Sequence, residues 1–121
     1  MKKITMILTS AMLLVASGAA EAGGVNHGKQ CVDRQYISEM SFGHITGGGI
    51  SPDGGNALIV HLSNGVNLPL HPHYNGNDAG GRHIIEGLRL AFAYNRQVSL
   101  WDHAGNNCDD FDAVRVHSDT Y

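Results

Sequence analysis

The sequence predicts a mostly β domain: five short strands with one helix between the third and the fourth. Three observations predict it. Apolar residues alternate along several separate stretches, which is the period of a half-buried strand. Residues 82–96 switch to apolar spacings of three and four, the period of a helix. Glycine- and asparagine-rich runs stand between these stretches, where turns belong.

Taken in order, "QYISEMSFGHI" at residues 35–45 puts Tyr36, Met40 and Phe42 on one parity and reads as the first strand. "TGGGISPDGG" breaks it with turn chemistry. "NALIVHL" sets Leu58, Val60 and Leu62 on one face and Ile59 and His61 on the other. Asn64-Gly65, flanked by alternating apolar residues, predicts a type I′ hairpin in which both residues take positive φ. The chain then returns through Val66, Leu68 and Leu70 as the third strand.

The helical segment "RHIIEGLRLAFAYNR" places Ile84, Ile85, Leu88, Ala91 and Phe92 on one stripe, with Glu86, Arg89 and Ala93 opposite. Gly87 costs this helix about 1 kcal/mol relative to alanine. Leu90 and Tyr94, four residues apart, form a second apolar patch off the core stripe. "VSLWDHA" returns to strand alternation, with Val98 and Leu100 inward and Trp101 opposite; "GNNCDD" is a loop, and "FDAVRVHS" is a last strand carrying Val114 and Val116. This α+β, mostly β order is that of the OB-fold, a five-stranded partly open barrel with its helix between strands 3 and 4. A generic α+β sheet packed on one helix fits the same pattern.

Residues 1–22 read as a secretory signal peptide: a basic start at Lys2-Lys3, an apolar run from Ile4 to Ala16, and the small-residue site Ala20-Glu21-Ala22. Cleavage near Ala22 predicts a secreted or periplasmic chain, with residues 23–34 as an N-terminal arm and 35–121 as a single domain. No later stretch reaches the roughly 20 apolar residues of a membrane span. Removing Lys2, Lys3 and Glu21 from 8 Lys+Arg and 11 Asp+Glu leaves 6 and 10, a formal charge of −4. That balance, without a basic stripe, argues against nucleic acid as a partner. The two cysteines, Cys31 and Cys108, read most simply in an oxidising compartment as one disulfide. Free or intermolecular thiols are the alternative. A loop of that length would restrict the unfolded chain by roughly 4–5 kcal/mol.

Three of the eight histidines fall between residues 71 and 83. Gly65 followed by His71-Pro72-His73 matches the first half of a cupin metal motif, but the glutamate that motif needs is missing and a long helix follows. His71 and His73 could hold a surface metal with Asp78 or His83, but Pro72 favours an exposed polar loop. Asp102, Asn106, Asn107, Asp109, Asp110 and Asp112 are permissive for calcium. They lack a calcium-loop spacing with a closing glutamate, and the expectation is a solvated hairpin loop with no metal. Ala79-Gly80-Gly81 before the helix could present amides to an anion. No nucleophile elbow is present and the cysteines are committed, so no catalytic residue and no cofactor are expected. A binding domain is left. Ile59, Leu90, Tyr94 and Trp101 are apolar residues off the core faces and are the candidate oligomer interface.

"ISEMSFGHI" at Ile37–Ile45 and "LRLAFAYNRQVSLW" at Leu88–Trp101 resemble the B subunits of bacterial AB5 toxins of the subtilase-cytotoxin and typhoid-toxin type. The matching positions are Ile37, Ser38, Glu39, Gly43, Ile45, Tyr94, Gln97 and Val98, and the element order agrees over residues 35–117. The resemblance implies an OB-fold homo-oligomer that binds cell-surface glycans and carries a catalytic A-type subunit. The family's sugar-contacting Tyr and Ser align with Cys31–Asp33, so that contact pattern is absent here. Asp33, Arg34 and Tyr36 are the remaining glycan-binding candidates. The family's cysteines near the second strand are also absent. The runner-up is a small periplasmic protein of the same fold that binds a partner protein or another ligand, and a histidine-based metal binder is the third reading.

Overall fold

The computed structural model describes residues 27–47, 50, 54–105 and 107–119. The signal-peptide reading of residues 1–22 lies outside them, as do residues 23–26 of the arm, Asn106, and residues 48, 49 and 51–53 of the glycine-rich turn. Among the described residues no helix is long and apolar enough to cross a membrane.

Strand β1 runs from Lys29 to Gly43, β2 from Ala57 to Leu62, β3 from Asn67 to Pro69, β4 from Gln97 to Asp102 and β5 from Ala113 to Val116. Helix α1, Ala79–Ala93, stands between β3 and β4, as the periodicity predicts. The strands form one antiparallel sheet in the order β3-β2-β1-β4-β5. The sheet is not closed. Its two edges approach at a single parallel bridge, Leu70 to Phe111, where the His71 N–H donates to the Phe111 carbonyl and the Phe111 N–H to the Pro69 carbonyl.

β1 is long because it serves two partners. Residues 29–36 pair with β4 and residues 37–43 with β2. It therefore begins well inside the segment read as an arm. Register shifts between Gln30 and Val32, between Val32 and Gln35, and between Ile37 and Glu39 let the strand bend from one partner to the other. These bulges overturn the single parity expected for Tyr36, Met40 and Phe42. Ile37 is buried instead, Tyr36 and Met40 are half-buried, and Phe42 is 55% exposed at the end of the sheet.

The Asn64-Gly65 hairpin forms, but its turn differs from the expected one. Only Gly65 of the pair takes positive φ, at 91°. The Gly65 N–H donates to the Leu62 carbonyl, and the Leu62 N–H donates to the Val66 carbonyl. The loop is thus three residues with glycine at the left-handed position, the next most common hairpin solution. Asn64 contributes through its side chain, which accepts from the Val66 N–H at 3.0 Å.

The helix starts three residues earlier than its apolar stripe suggests, because Asp78 caps it: one carboxylate oxygen accepts from the Gly81 N–H at 2.9 Å. It ends at Tyr94, and Asn95 follows in the left-handed region with φ 53°. The core gathers Leu58, Val60 and Leu62 of β2, Leu68 and Leu70, Leu88 and Ala91 of α1, Val98 and Leu100 of β4, and Val32, Ile37 and Phe111. Of the predicted helical stripe, Leu88 and Ala91 are buried and Ile84 and Ile85 half-buried, whereas Phe92 is 46% exposed. Every residue of β4 is buried, on both faces. Cys31 and Cys108, 77 residues apart, form a disulfide with their Cα atoms 5.6 Å apart. It fastens β1 to the β4–β5 loop.

Candidate functional site

Three places gather side chains with chemical or binding potential. The first is the bulge in β1. Arg34, at φ 48°, turns its guanidinium onto Asp119, donating at 3.3 and 3.2 Å to the two carboxylate oxygens, and reaches Gln97 Oε1 at 3.4 Å. The Arg34 N–H donates to Ser99 Oγ at 3.1 Å, and Gln97 Nε2 donates to the Arg34 carbonyl at 3.2 Å. Ser99 Oγ also lies 2.9 Å from His117 Nε2 and 3.4 Å from Asp33 Oδ1. The Arg34 hydrogen bond holds the Asp119 carboxyl below its ordinary range. Burial, and then the Arg34 charge, keep the His117 imidazole below its usual value.

Of the glycan candidates, Asp33 and Arg34 thus belong to one network over the outer side of β4. Tyr36 stands apart from it, with its backbone N–H donating to Ser63 Oγ at 3.2 Å. Trp101 shares that outer side and is 9% exposed. The His27 ring lies 4.9 Å from it, and the Arg115 guanidinium sits 5.1 Å above it.

The second place is the β4–β5 loop with its neighbour, the His71-Pro72-His73 segment. His71 Nδ1 accepts from the His73 N–H at 3.1 Å, and the two rings meet edge to face at 5.1 Å. Asp78, a proposed metal partner of these histidines, is occupied as the helix cap. The same contact takes the Gly81 N–H of the Ala79-Gly80-Gly81 turn and places a carboxylate where an anion would have to sit. The oxygen-rich loop joins antiparallel β4 and β5 and exposes His103–Gly105, Asn107 and Asp109, as a solvated hairpin would, but two of its carboxylates are buried. Asp102 is 0% exposed and Asp110 is 8% exposed. Asp102 Oδ2 accepts from the Asn107 and Cys108 N–H groups at 3.0 and 2.9 Å. Asp112, beside it, accepts from the His103 and Ala104 N–H groups at 2.9 and 2.8 Å. Burial lifts the Asp110 carboxyl to about 6 from an ordinary 3.8; His71 acts against this rise, and Asp109, Asp102 and Asp112 add to it.

The third place is apolar. A groove of about 810 Å³ opens between β1 and α1, lined by Met40, Phe42, Ile85, Phe92 and the charged residues Glu39 and Arg89. A second groove on the same helix runs along Arg82, Ile85, Glu86, Arg89 and Leu90. Leu90 is 53% and Tyr94 68% exposed, so four of the large exposed apolar side chains lie on α1, its C-cap and the end of β1. The four interface candidates do not form one surface. Leu90 and Tyr94 share the helix, Ile59 is half-buried on the outer parity of β2, and Trp101 is covered by its own chain.

Sequence reasoning missed the groove because it assigned Phe42 and Phe92 to the core. The signal was present as an excess: the helical stripe carries more apolar residues than the parts of β1, β4 and β5 it packs on can cover. It missed the burial of Asp110 because Phe111, fully buried beside it, was read only as the start of a strand. No family model, curated protein or solved structure matches this chain.

Proposed function

We propose that this chain is an exported, non-enzymatic binding domain of the OB type that works as an assembly of identical copies, in the manner of a toxin B subunit. The observation that carries the reading is a pair of exposed apolar patches on either side of α1, Leu90 with Tyr94 on one and Phe92 with Phe42 of β1 on the other. These residues are 46–68% exposed, and Met40 and Ile85 extend the Phe42–Phe92 patch into the groove. Large apolar side chains left exposed in groups mark interaction sites.

A second copy is the occupant the charges beside them favour. Arg82, Glu86 and Arg89 run between the two apolar patches, with Glu39 at the groove, so like surfaces can meet with opposite charges facing. The OB-type reading draws support from a long β1 flanked by β2 and β4 and from the Leu70–Phe111 bridge that draws the two sheet edges together. Export draws support from the Cys31–Cys108 disulfide. A catalytic partner, implied by the resemblance to toxin B subunits, would bind the assembled form.

Glycan binding through Asp33, Arg34 and Tyr36 is the weaker part of the resemblance, because a sugar would have to displace Asp119 from Arg34. The test is a pair of variants followed by light scattering. Leu90→Asp with Tyr94→Ser should dissociate the assembly, while Ile59→Ser, on the other side of the sheet, should leave it intact. The opposite pattern would move the interface to the sheet, and a wild-type chain that is monomeric throughout would remove the reading.

A further inference from the structure

We propose that Asp102, Asp109 and Asp110 together hold one divalent cation of the hard, oxygen-seeking class, calcium first among them, at the base of the β4–β5 loop. One oxygen from each of the three carboxylates lies within 4.8 Å of the others. Ligands of a calcium ion stand about 2.3–2.6 Å from it and hence no more than about twice that apart. The three fit around one ion.

Independent of that spacing is the state of one oxygen on each of two of these carboxylates. Asp102 is wholly enclosed, and while its Oδ2 serves two backbone N–H groups, its Oδ1 is buried and accepts no hydrogen bond. Asp110 Oδ1 is likewise buried and unpartnered, in a residue 8% exposed. A buried carboxylate oxygen with no donor is strongly unfavourable, and three carboxylates crowded together repel one another. A dication removes both penalties at once.

The donor set points to the class of metal. All three side chains offer oxygen, which suits calcium or magnesium, whereas zinc prefers imidazole and thiolate. Calcium tolerates an irregular shell completed by water and loop carbonyls, and magnesium demands an octahedron. Asp109 is exposed, which opens a route of entry. An ion here would clamp the loop that carries Cys108 to the end of β4. It would also hold the start of the Phe111 bridge on which the approach of the sheet edges depends.

The experiment uses the disulfide-bonded chain stripped with EDTA and titrated with calcium chloride alone, followed by calorimetry and thermal unfolding. One ion should bind per chain with Kd on the order of 0.1–1 mM. A tenfold excess over Kd should raise Tm by about 5 °C or more. Asp110→Asn and the exposed Asp109→Asn, which leaves the buried core of the loop untouched, should each weaken binding at least about tenfold. The proposal is overturned if about 10 mM calcium neither produces heat nor moves Tm of the wild-type chain. It is equally overturned if both variants bind as the wild type does, or if zinc binds more tightly than calcium and retains its affinity in both.

Discussion

Gly81 packs directly against the backbone of Asn75: a Cβ on residue 81 would overlap the Asn75 nitrogen and carbonyl oxygen and the Tyr74 carbonyl carbon. Asn75 is itself buried, its side chain donating to the Pro72 carbonyl and accepting from the Asn77 N–H. The first turn of α1 is therefore seated on the loop that leaves β3. Gly81→Ala should destabilise the chain by about 1–3 kcal/mol through overpacking against immobile backbone. Gly80→Ala should stay within about 0.5 kcal/mol of the parent. A Cβ there meets no backbone, only the capping Asp78 carboxylate at 3.2 Å and the Tyr74 ring at 3.6 Å. Urea midpoints of the two variants check the contrast.

The hairpin separates two turn types by mutation. With Gly65 alone in the left-handed region, Gly65→Ala should cost about 1 kcal/mol, the penalty for a side chain at positive φ. Asn64→Gly should cost only the side-chain bond to the Val66 N–H, about 0.5–1 kcal/mol. In a type I′ turn the second change would be neutral or stabilising, so thermal unfolding of both variants distinguishes the two geometries.

Reduction of Cys31–Cys108, or the double change to alanine, should lower stability by about 2–5 kcal/mol. It releases the β4–β5 loop from β1 across 77 residues. The check is denaturant unfolding with and without a reductant; equal midpoints would show that the bond constrains little.

His117 provides a pH signature. Burial, followed by the positive charge of Arg34, depresses its pKa below 6.5, with Arg115 acting in the same sense and Asp119 and Asp33 opposing. The folded chain then binds fewer protons there than the unfolded chain. The stability this group contributes is fully present above its unfolded pKa of 6.5 and is lost as pH falls through its lower folded pKa. Tm measured from pH 7.5 down to 5 should therefore decline more steeply in the parent than in His117→Gln. Parallel profiles would mean that the imidazole titrates alike in both states.

Much of the fold was legible because alternation and helical spacing are direct traces of burial. Leu58, Val60 and Leu62 face the core as their parity says, and Leu88 and Ala91 do so on the helix. The cysteines were legible because two thiols in one chain allow a single intramolecular pairing. The bulges in β1 were not, since one extra residue leaves no mark in composition yet reverses which side chains point inward; Ile37 replaced Tyr36 for that reason. The acidic loop misled for another reason. Aspartates at adjacent positions read as solvated, and only the disulfide and the burial of Phe111 draw Asp102 and Asp110 out of water. Leu90 and Tyr94 were recognised as off the core, while Trp101 was recognised as outward but turned out to be roofed by His27 and Arg115.

The most direct test is the mass of the disulfide-bonded chain in solution, by light scattering at micromolar concentration. Self-assembly through the helical face requires a mass that is a whole multiple of one chain, greater than one, falling to a single chain in Leu90→Asp with Tyr94→Ser. A wild-type mass of one chain at every concentration, with and without calcium, would contradict it.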